Sequence, residues 1–128
     1  MVDERSRALE AEDRLRTLLD SWAEGIAQRR TAEIASLFTE DALFQGFDPA
    51  PGHGRDYVER YYAKQPAGLT ADYELLSVRE ISADAIAGYA RVLFGRPDGP
   101  VPVYLTAIAE RGADGWRLSH YHVSKIEG

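Results

Sequence analysis

The sequence predicts a single α+β domain in which three helices precede a curved, mainly antiparallel sheet. Apolar residues at helical spacing occur only in the first half of the chain, whereas segments rich in β-branched and aromatic residues fill the second half. The separators between those segments are short enough for hairpins. With 128 residues, 45% of them apolar, the chain can form one hydrophobic core and has no room for two ordinary domains.

The helical half is expected to begin after a frayed tail at residues 1–8, so that residues 9–128 form the domain. Thr31 is expected to cap a short second helix that runs through Phe38. A short strand at 42–47 and a turn rich in proline and glycine at 48–54 follow. The first helix is expected to bury one apolar face, formed by Leu15, Leu18, Leu19, Trp22 and Ile26. The third helix, expected at 55–64, carries an aromatic stripe formed by Tyr57, Val58, Tyr61 and Tyr62.

Four strands complete the domain as an antiparallel meander. They are expected at 70–81, 85–95, 101–111 and 116–126. Alternate residues of the last strand point to the same face, and two histidines share a face with the apolar residue Leu118. We therefore expect the histidines to face an interior pocket, with Tyr121 and Val123 on the outer face. The alternative is a pair of hydrogen-bonded histidines in a core wall. The residues of the histidine parity are Leu118, His120, His122 and Ser124.

The composition excludes several classes of function. The net charge is −6, and no basic run exceeds Arg29-Arg30, so nucleic acid is not an expected partner. The absence of cysteine excludes disulfides and thiolate chemistry. No segment approaches the roughly 18 apolar residues of a membrane span, and no apolar leader follows the charged N-terminus. We therefore expect a cytoplasmic protein that has no membrane partner.

Two stretches carry a family resemblance: the string Leu37-Phe38-Thr39-Glu40-Asp41-Ala42, and the closing segment Gly115-Trp116-Arg117-Leu118-Ser119-His120-Tyr121-His122-Val123-Ser124. With the long first helix and the proline/glycine loop, the chain resembles the nuclear transport factor 2-like superfamily, in particular its SnoaL-like and SgcJ/EcaC-like branches. The resemblance implies a cone-shaped, cystatin-like fold with a pocket at one end and a homodimer through the outer sheet face. It also implies a pocket without metal or cofactor and a hydrophobic, polyketide-like metabolite as ligand or substrate.

Ketosteroid isomerase, an enzyme of this superfamily, offers a test by position. The resemblance puts Trp22 where that enzyme has its oxyanion-stabilising tyrosine, and it puts the catalytic aspartate near Asp48. The second aspartate has no counterpart, because residues 104–107 are Tyr-Leu-Thr-Ala. Steroid-type isomerisation by that mechanism is therefore disfavoured.

The candidate catalytic residues are His120, His122 and Asp48. The imidazoles suit proton transfer near neutral pH, although an Asp before a proline often only stabilises a turn. His-x-His could alternatively hold a metal with Asp48 or the loop residue His53. The candidate ligand-binding residues are Trp22, Phe44, Tyr57, Tyr61, Arg91 and Ser124, although the parity of Tyr89 and Arg91 leaves their face open.

Three functions fit these residues. The first is a cofactor-independent isomerase, cyclase or hydrolase that uses acid/base chemistry on a hydrophobic metabolite. The second is a ligand-binding protein without turnover, and the third is a dimeric association module. Polar residues at 120 and 122 on an interior face argue against the third. No nucleotide-binding loop joins a strand to a helix, so a cofactor-dependent oxidoreductase is not expected.

Overall fold

A computed structural model describes residues 4–47 and 50–126. The helices are α1 (Glu4–Gln28), α2 (Thr31–Ser36) and α3 (Arg55–Ala63). The strands are β1 (Phe38–Gln45), β2 (Gly52–His53), β3 (Thr70–Ser82), β4 (Ala85–Gly95), β5 (Val101–Gly112) and β6 (Gly115–Lys125). All six belong to one sheet in the order β2-β1-β6-β5-β4-β3.

The helices cover one face of the sheet, which we call the inner face. β3 to β6 form the expected meander, and β1 joins β6 in parallel. α1 lies across β3, β4 and β6 and buries the predicted stripe from Leu15 to Ile26. Alternate residues of the central strands, such as Val103, Leu105 and Ala107, point at this helix and are buried. The core therefore lies between α1 and the inner face.

The N-terminal half differs from the prediction at four points. α1 begins at Glu4, so residues 4–8 are helical rather than a frayed tail. Thr31 is the first residue of α2 and Arg30 is its N-cap, without a side-chain capping bond. Phe38 starts β1 instead of ending α2 because its fully buried ring packs against the sheet core. Gly52 and His53, predicted as turn, pair with β1.

The largest correction concerns the two faces of β6. Ile108 pairs with His120, but Ala109 pairs with Leu118, so Ser119 is an extra residue in the ladder. This β-bulge reverses the alternation: Leu118 and Tyr121 both point inward. The Ser119 hydroxyl donates a hydrogen bond to the carbonyl oxygen of Ile108 across the bulge.

The bulge places the histidines on the outer face. His120, His122 and Ser124 lie opposite Ile108, Thr106 and Tyr104, none of which is buried. Tyr121 and Val123, predicted to be on the outer face, are buried in the core instead.

Within residues 4–47 and 50–126, none of the helices is both long enough and apolar enough to cross a membrane.

Candidate functional site

A cleft of about 420 Å³ opens at one end of the molecule, between α3, the segment after β1 and the end of β4. Three aromatic side chains form its walls, and basic side chains stand around them. The lining residues are Phe47, Ala50, Pro51, Tyr57, Arg60, Tyr61, Lys64, Gln65 and Arg96. The size lies within the range of small-molecule sites, which is roughly 300–1,000 Å³.

The two tyrosines of the cleft are fixed by glycines and by backbone hydrogen bonds. A β-carbon at Gly46 would collide with the Tyr61 hydroxyl, and one at Gly52 would collide with the Tyr57 ring. The Tyr61 hydroxyl accepts a 3.0 Å hydrogen bond from the Phe47 backbone N–H. The Tyr57 hydroxyl donates to the carbonyl oxygen of Ala50 at 3.2 Å. The segment after β1 is thereby tied to α3, which gives the cleft two fixed walls.

An aromatic cluster closes the interior behind the cleft. Phe44 stacks on Tyr121 with ring centroids 4.3 Å apart, and Tyr61 meets Phe44 edge-on at 4.8 Å. An apolar gap too narrow to admit a water molecule remains between Tyr61, Tyr121 and Phe94. The cone interior is therefore filled with side chains, and the room for a ligand lies at its mouth.

A polar chain of three groups runs through this cluster. The Trp22 indole N–H donates to the Tyr62 hydroxyl at 2.8 Å, and that hydroxyl contacts the Tyr121 hydroxyl at 3.5 Å. Burial raises the pKa of both phenols well above the usual value, so both stay neutral. These three groups have three donor protons but only two acceptor oxygens, so one hydroxyl proton has no acceptor among the three groups themselves.

Trp22 and Phe44 do not line the cleft, contrary to expectation. Both are fully buried in the aromatic cluster. The Trp22 indole N–H, which the family resemblance matched to an oxyanion-stabilising tyrosine, donates instead to the Tyr62 hydroxyl. Tyr57 and Tyr61 do lie in the cleft wall.

The remaining candidates lie elsewhere. His120 and His122 lie on the outer face, away from the cleft, so the structure does not bring them together with Tyr57 and Tyr61. Partial burial lowers the pKa of His120, and the neighbouring His122 lowers it further. Arg91 pairs with Tyr104, and Tyr89 with Thr106, so both belong to the outer face, as does Ser124.

Asp48 lies outside the described residues, and nothing is said of its side chain. Its sequence neighbours Phe47 and Ala50 both line the cleft. His53 is exposed in β2. In the described part of the chain no three His, Cys, Asp or Glu residues form a group that could hold a metal.

Sequence reasoning missed Phe47, Arg60, Lys64, Gln65 and Arg96 as cleft residues. Arg60 in α3 and Lys64 at its C-cap stand four residues apart, three residues after Tyr57 and Tyr61 respectively. This helical spacing places the basic pair next to the pair Tyr57 and Tyr61, so the sequence pattern could have predicted basic residues beside the aromatic wall. Arg96 gave no such signal, because only the sheet topology brings the end of β4 next to α3.

The sequence matches the model of the SnoaL-like domain over residues 15–127. The chain belongs to the SnoaL-like family. This family is a member of the nuclear transport factor 2-like superfamily, so the predicted resemblance is confirmed. No curated protein matches the sequence.

Solved structures confirm the predicted cystatin-like fold. A domain of unknown function from Nostoc punctiforme superposes with a TM-score of 0.82 at 14% identity, covering 93% of this chain and 79% of the other. A hexachlorocyclohexane dehydrochlorinase from Novosphingobium barchaimii gives 0.80 at 17% identity, covering 93% and 88%. A ketosteroid isomerase-like protein from Erwinia carotovora gives 0.75 at 16% identity, covering 99% and 100%. At these identities the similarity establishes the fold alone.

Proposed function

We propose that this SnoaL-like protein binds a planar, hydrophobic small molecule of polyketide-like character in the cleft at its mouth. One observation carries the proposal: Phe47, Tyr57 and Tyr61 converge on a cavity of about 420 Å³. Aromatic walls of this kind favour offset or edge-on contact with a flat ligand. The filled interior supports the same site, since it leaves no comparable apolar space behind the cleft among the described residues.

A neutral bicyclic probe tests this binding site. We expect 2-naphthamide to bind wild-type protein in isothermal titration calorimetry and to lose about tenfold in affinity in the Phe47→Ala variant, because one stacking wall is lost. The matched control is Tyr89→Ala, which removes an exposed aromatic ring from the outer face. Equal losses in both variants, or no binding to wild type, would contradict the proposal.

We propose further that the protein is a cofactor-independent enzyme that transfers a proton to and from its ligand. The support is the position of Asp48 in the sequence, between two residues that line the cleft, and the presence of a dehydrochlorinase and a ketosteroid isomerase-like protein among the structural relatives. A carboxylate can serve as the general base in such a proton transfer. We assign His120 and His122 no role in this chemistry, because they lie on the outer face, away from the cleft.

Hydrogen–deuterium exchange at carbon tests the catalytic proposal. We expect wild-type protein in D₂O to accelerate exchange of the α-protons of 2-tetralone, measured by NMR, and Asp48→Asn to lower the rate about 10²-fold or more. His122→Gln should exchange at the wild-type rate. If 2-tetralone binds but exchanges no faster than in buffer, the alternative of a binding protein without turnover is favoured.

The outer face supports a homodimer as the proposed assembly. It carries a stacked pair, Tyr89 and Tyr104, with ring centroids 5.4 Å apart, beside Leu93, which is 38% exposed. No helix of the described chain covers this side, because all three pack elsewhere. Light scattering at tens of micromolar should give twice the mass of one chain, and Tyr104→Glu should give a monomer. A monomeric wild type would refute this assembly.

A further inference from the structure

The described residues that line the cleft carry a positive charge that the aromatic walls do not explain. Three of its lining residues, Arg60, Lys64 and Arg96, are cationic, and none of the lining residues in the described part of the chain is acidic. Lys125 adds a fourth cation, with its ammonium 5.6 Å from the centre of the Phe47 ring. The whole chain has a net charge of −6, so this local excess runs against its composition.

Structural roles account for only part of this charge. Arg60 lies in the last turn of α3, where a cation stabilises the helix dipole, and Lys64 follows at the C-cap. Within residues 4–47 and 50–126 neither side chain has a carboxylate partner at ion-pair distance. Arg96 comes from the opposite wall, at the end of β4, and serves no helix terminus.

Arg96 is held in place beside the aromatic wall. Its guanidinium lies 5.2 Å from the centre of the Phe47 ring and 3.4 Å from the side-chain carbonyl oxygen of Gln65. Its acidic neighbour is Asp98, 3.8 Å away and 84% exposed, which is a weak surface pair. An arginine oriented in this way keeps N–H donors available for an incoming anion.

We propose that the natural ligand of the cleft is a planar aromatic acid, with its ring against Phe47 and its carboxylate between Arg96 and the α3 cations. This inference rests on the proposed function, because it concerns the same cleft. Guanidinium groups bind carboxylates through two parallel hydrogen bonds, and Arg60 and Lys64 add favourable charge from the facing wall. The aromatic wall selects the flat body of the ligand, and the cations select its acid group.

A pair of probes that differ only in charge separates these two roles. Wild-type protein at low ionic strength should bind 2-naphthoate at least tenfold more tightly than 2-naphthamide in calorimetry. Arg96→Gln should reduce this preference at least threefold, measured as the ratio of the two affinities within that variant. Arg79→Gln, which removes the same charge from an exposed position on β3, should leave both affinities unchanged.

The outcomes distinguish this inference from the proposed function. Equal affinity for the two probes in wild type, or a preference that Arg96→Gln leaves undiminished, overturns the aromatic-acid proposal and leaves the aromatic cleft standing. Absence of binding by both probes overturns both proposals. Thermal unfolding checks that each variant folds, and if Arg96→Gln does not, the double variant Arg60→Gln/Lys64→Gln at exposed positions must reduce the preference by at least threefold.

Discussion

Neighbouring residues of β6 differ in burial and in contacts according to the face of the sheet on which they lie. On the inner face, Tyr121 is 1% exposed, stacks on Phe44 and contacts the Tyr62 hydroxyl. On the outer face, His120 and His122 are half-buried beside Ile108 and Thr106. The extra residue Ser119 interrupts the strand's alternation and thereby puts Tyr121 on the inner face and the two histidines on the outer face. The titratable histidines of β6 therefore lie on the face of the sheet away from the ligand-sized cleft.

The largest expected effect comes from removing an inner aromatic ring. Phe44→Ala should lower the free energy of unfolding by about 3–5 kcal/mol, because it leaves a cavity among Tyr121, Tyr61 and Phe38. Tyr89→Ala on the outer face, compared in the monomeric Tyr104→Glu background so that the proposed dimer does not contribute, should change it by less than about 1 kcal/mol. Urea denaturation measures both. Equal losses would mean that the two faces are not packed as differently as described.

A smaller effect sharpens the role of the buried polar chain. Tyr62→Phe should cost about 1–3 kcal/mol, because it leaves the Trp22 indole N–H buried without an acceptor. Tyr121→Phe should cost less, since Tyr62 still accepts the Trp22 bond and loses only a long 3.5 Å contact. The two variants differ by one hydroxyl position only. The reverse order of stability in urea denaturation would contradict the assigned direction of the chain.

The smallest expected effect is a pH dependence on the outer face. Burial, and secondarily His122, lowers the pKa of His120 from its ordinary value of 6.5. Above that value both folded and unfolded states are neutral, and below it the unfolded state binds a proton more readily. The free energy of unfolding should therefore fall from pH 7.5 to 5.5, and His120→Gln should reduce this fall. His53→Gln, at an exposed position, serves as the control; a fall unchanged in His120→Gln would contradict this account.

Most of the fold follows from the sequence because its signals are local. The stripe from Leu15 to Ile26 predicts the buried face of α1, and hairpin-length separators predict the meander of β3 to β6. The sequence pattern predicts Phe38 at the end of α2 because, over a few apolar residues, the end of a helix and the start of a buried strand have the same pattern. The burial of its ring against Phe44 and Tyr121, which a local pattern does not show, decides for β1.

The candidate site was less predictable because it depends on register and on distant elements. Strict alternation places Leu118 with His120, yet the apolar residues Leu118, Tyr121 and Val123 are spaced by three and then two. That spacing is compatible with a bulge that turns all three residues inward, whereas simple alternation is not. Arg96 reaches the cleft because β4 pairs with β3, which follows α3 in the chain. The local sequence around Arg96 does not predict this long-range pairing.

The central claim, that the ligand site is the cleft and not the histidine face, is tested most directly by an amide NMR titration. Wild-type protein, with its backbone resonances assigned, would be titrated with 2-naphthamide and, separately, with 2-naphthoate. We expect the largest shifts at Phe47, at residues 57–65 in α3 and just after it, and at Arg96, with the outer-face amides of His120, His122 and Thr106 unmoved. Shifts concentrated on those three outer-face residues, with the cleft silent, would contradict it.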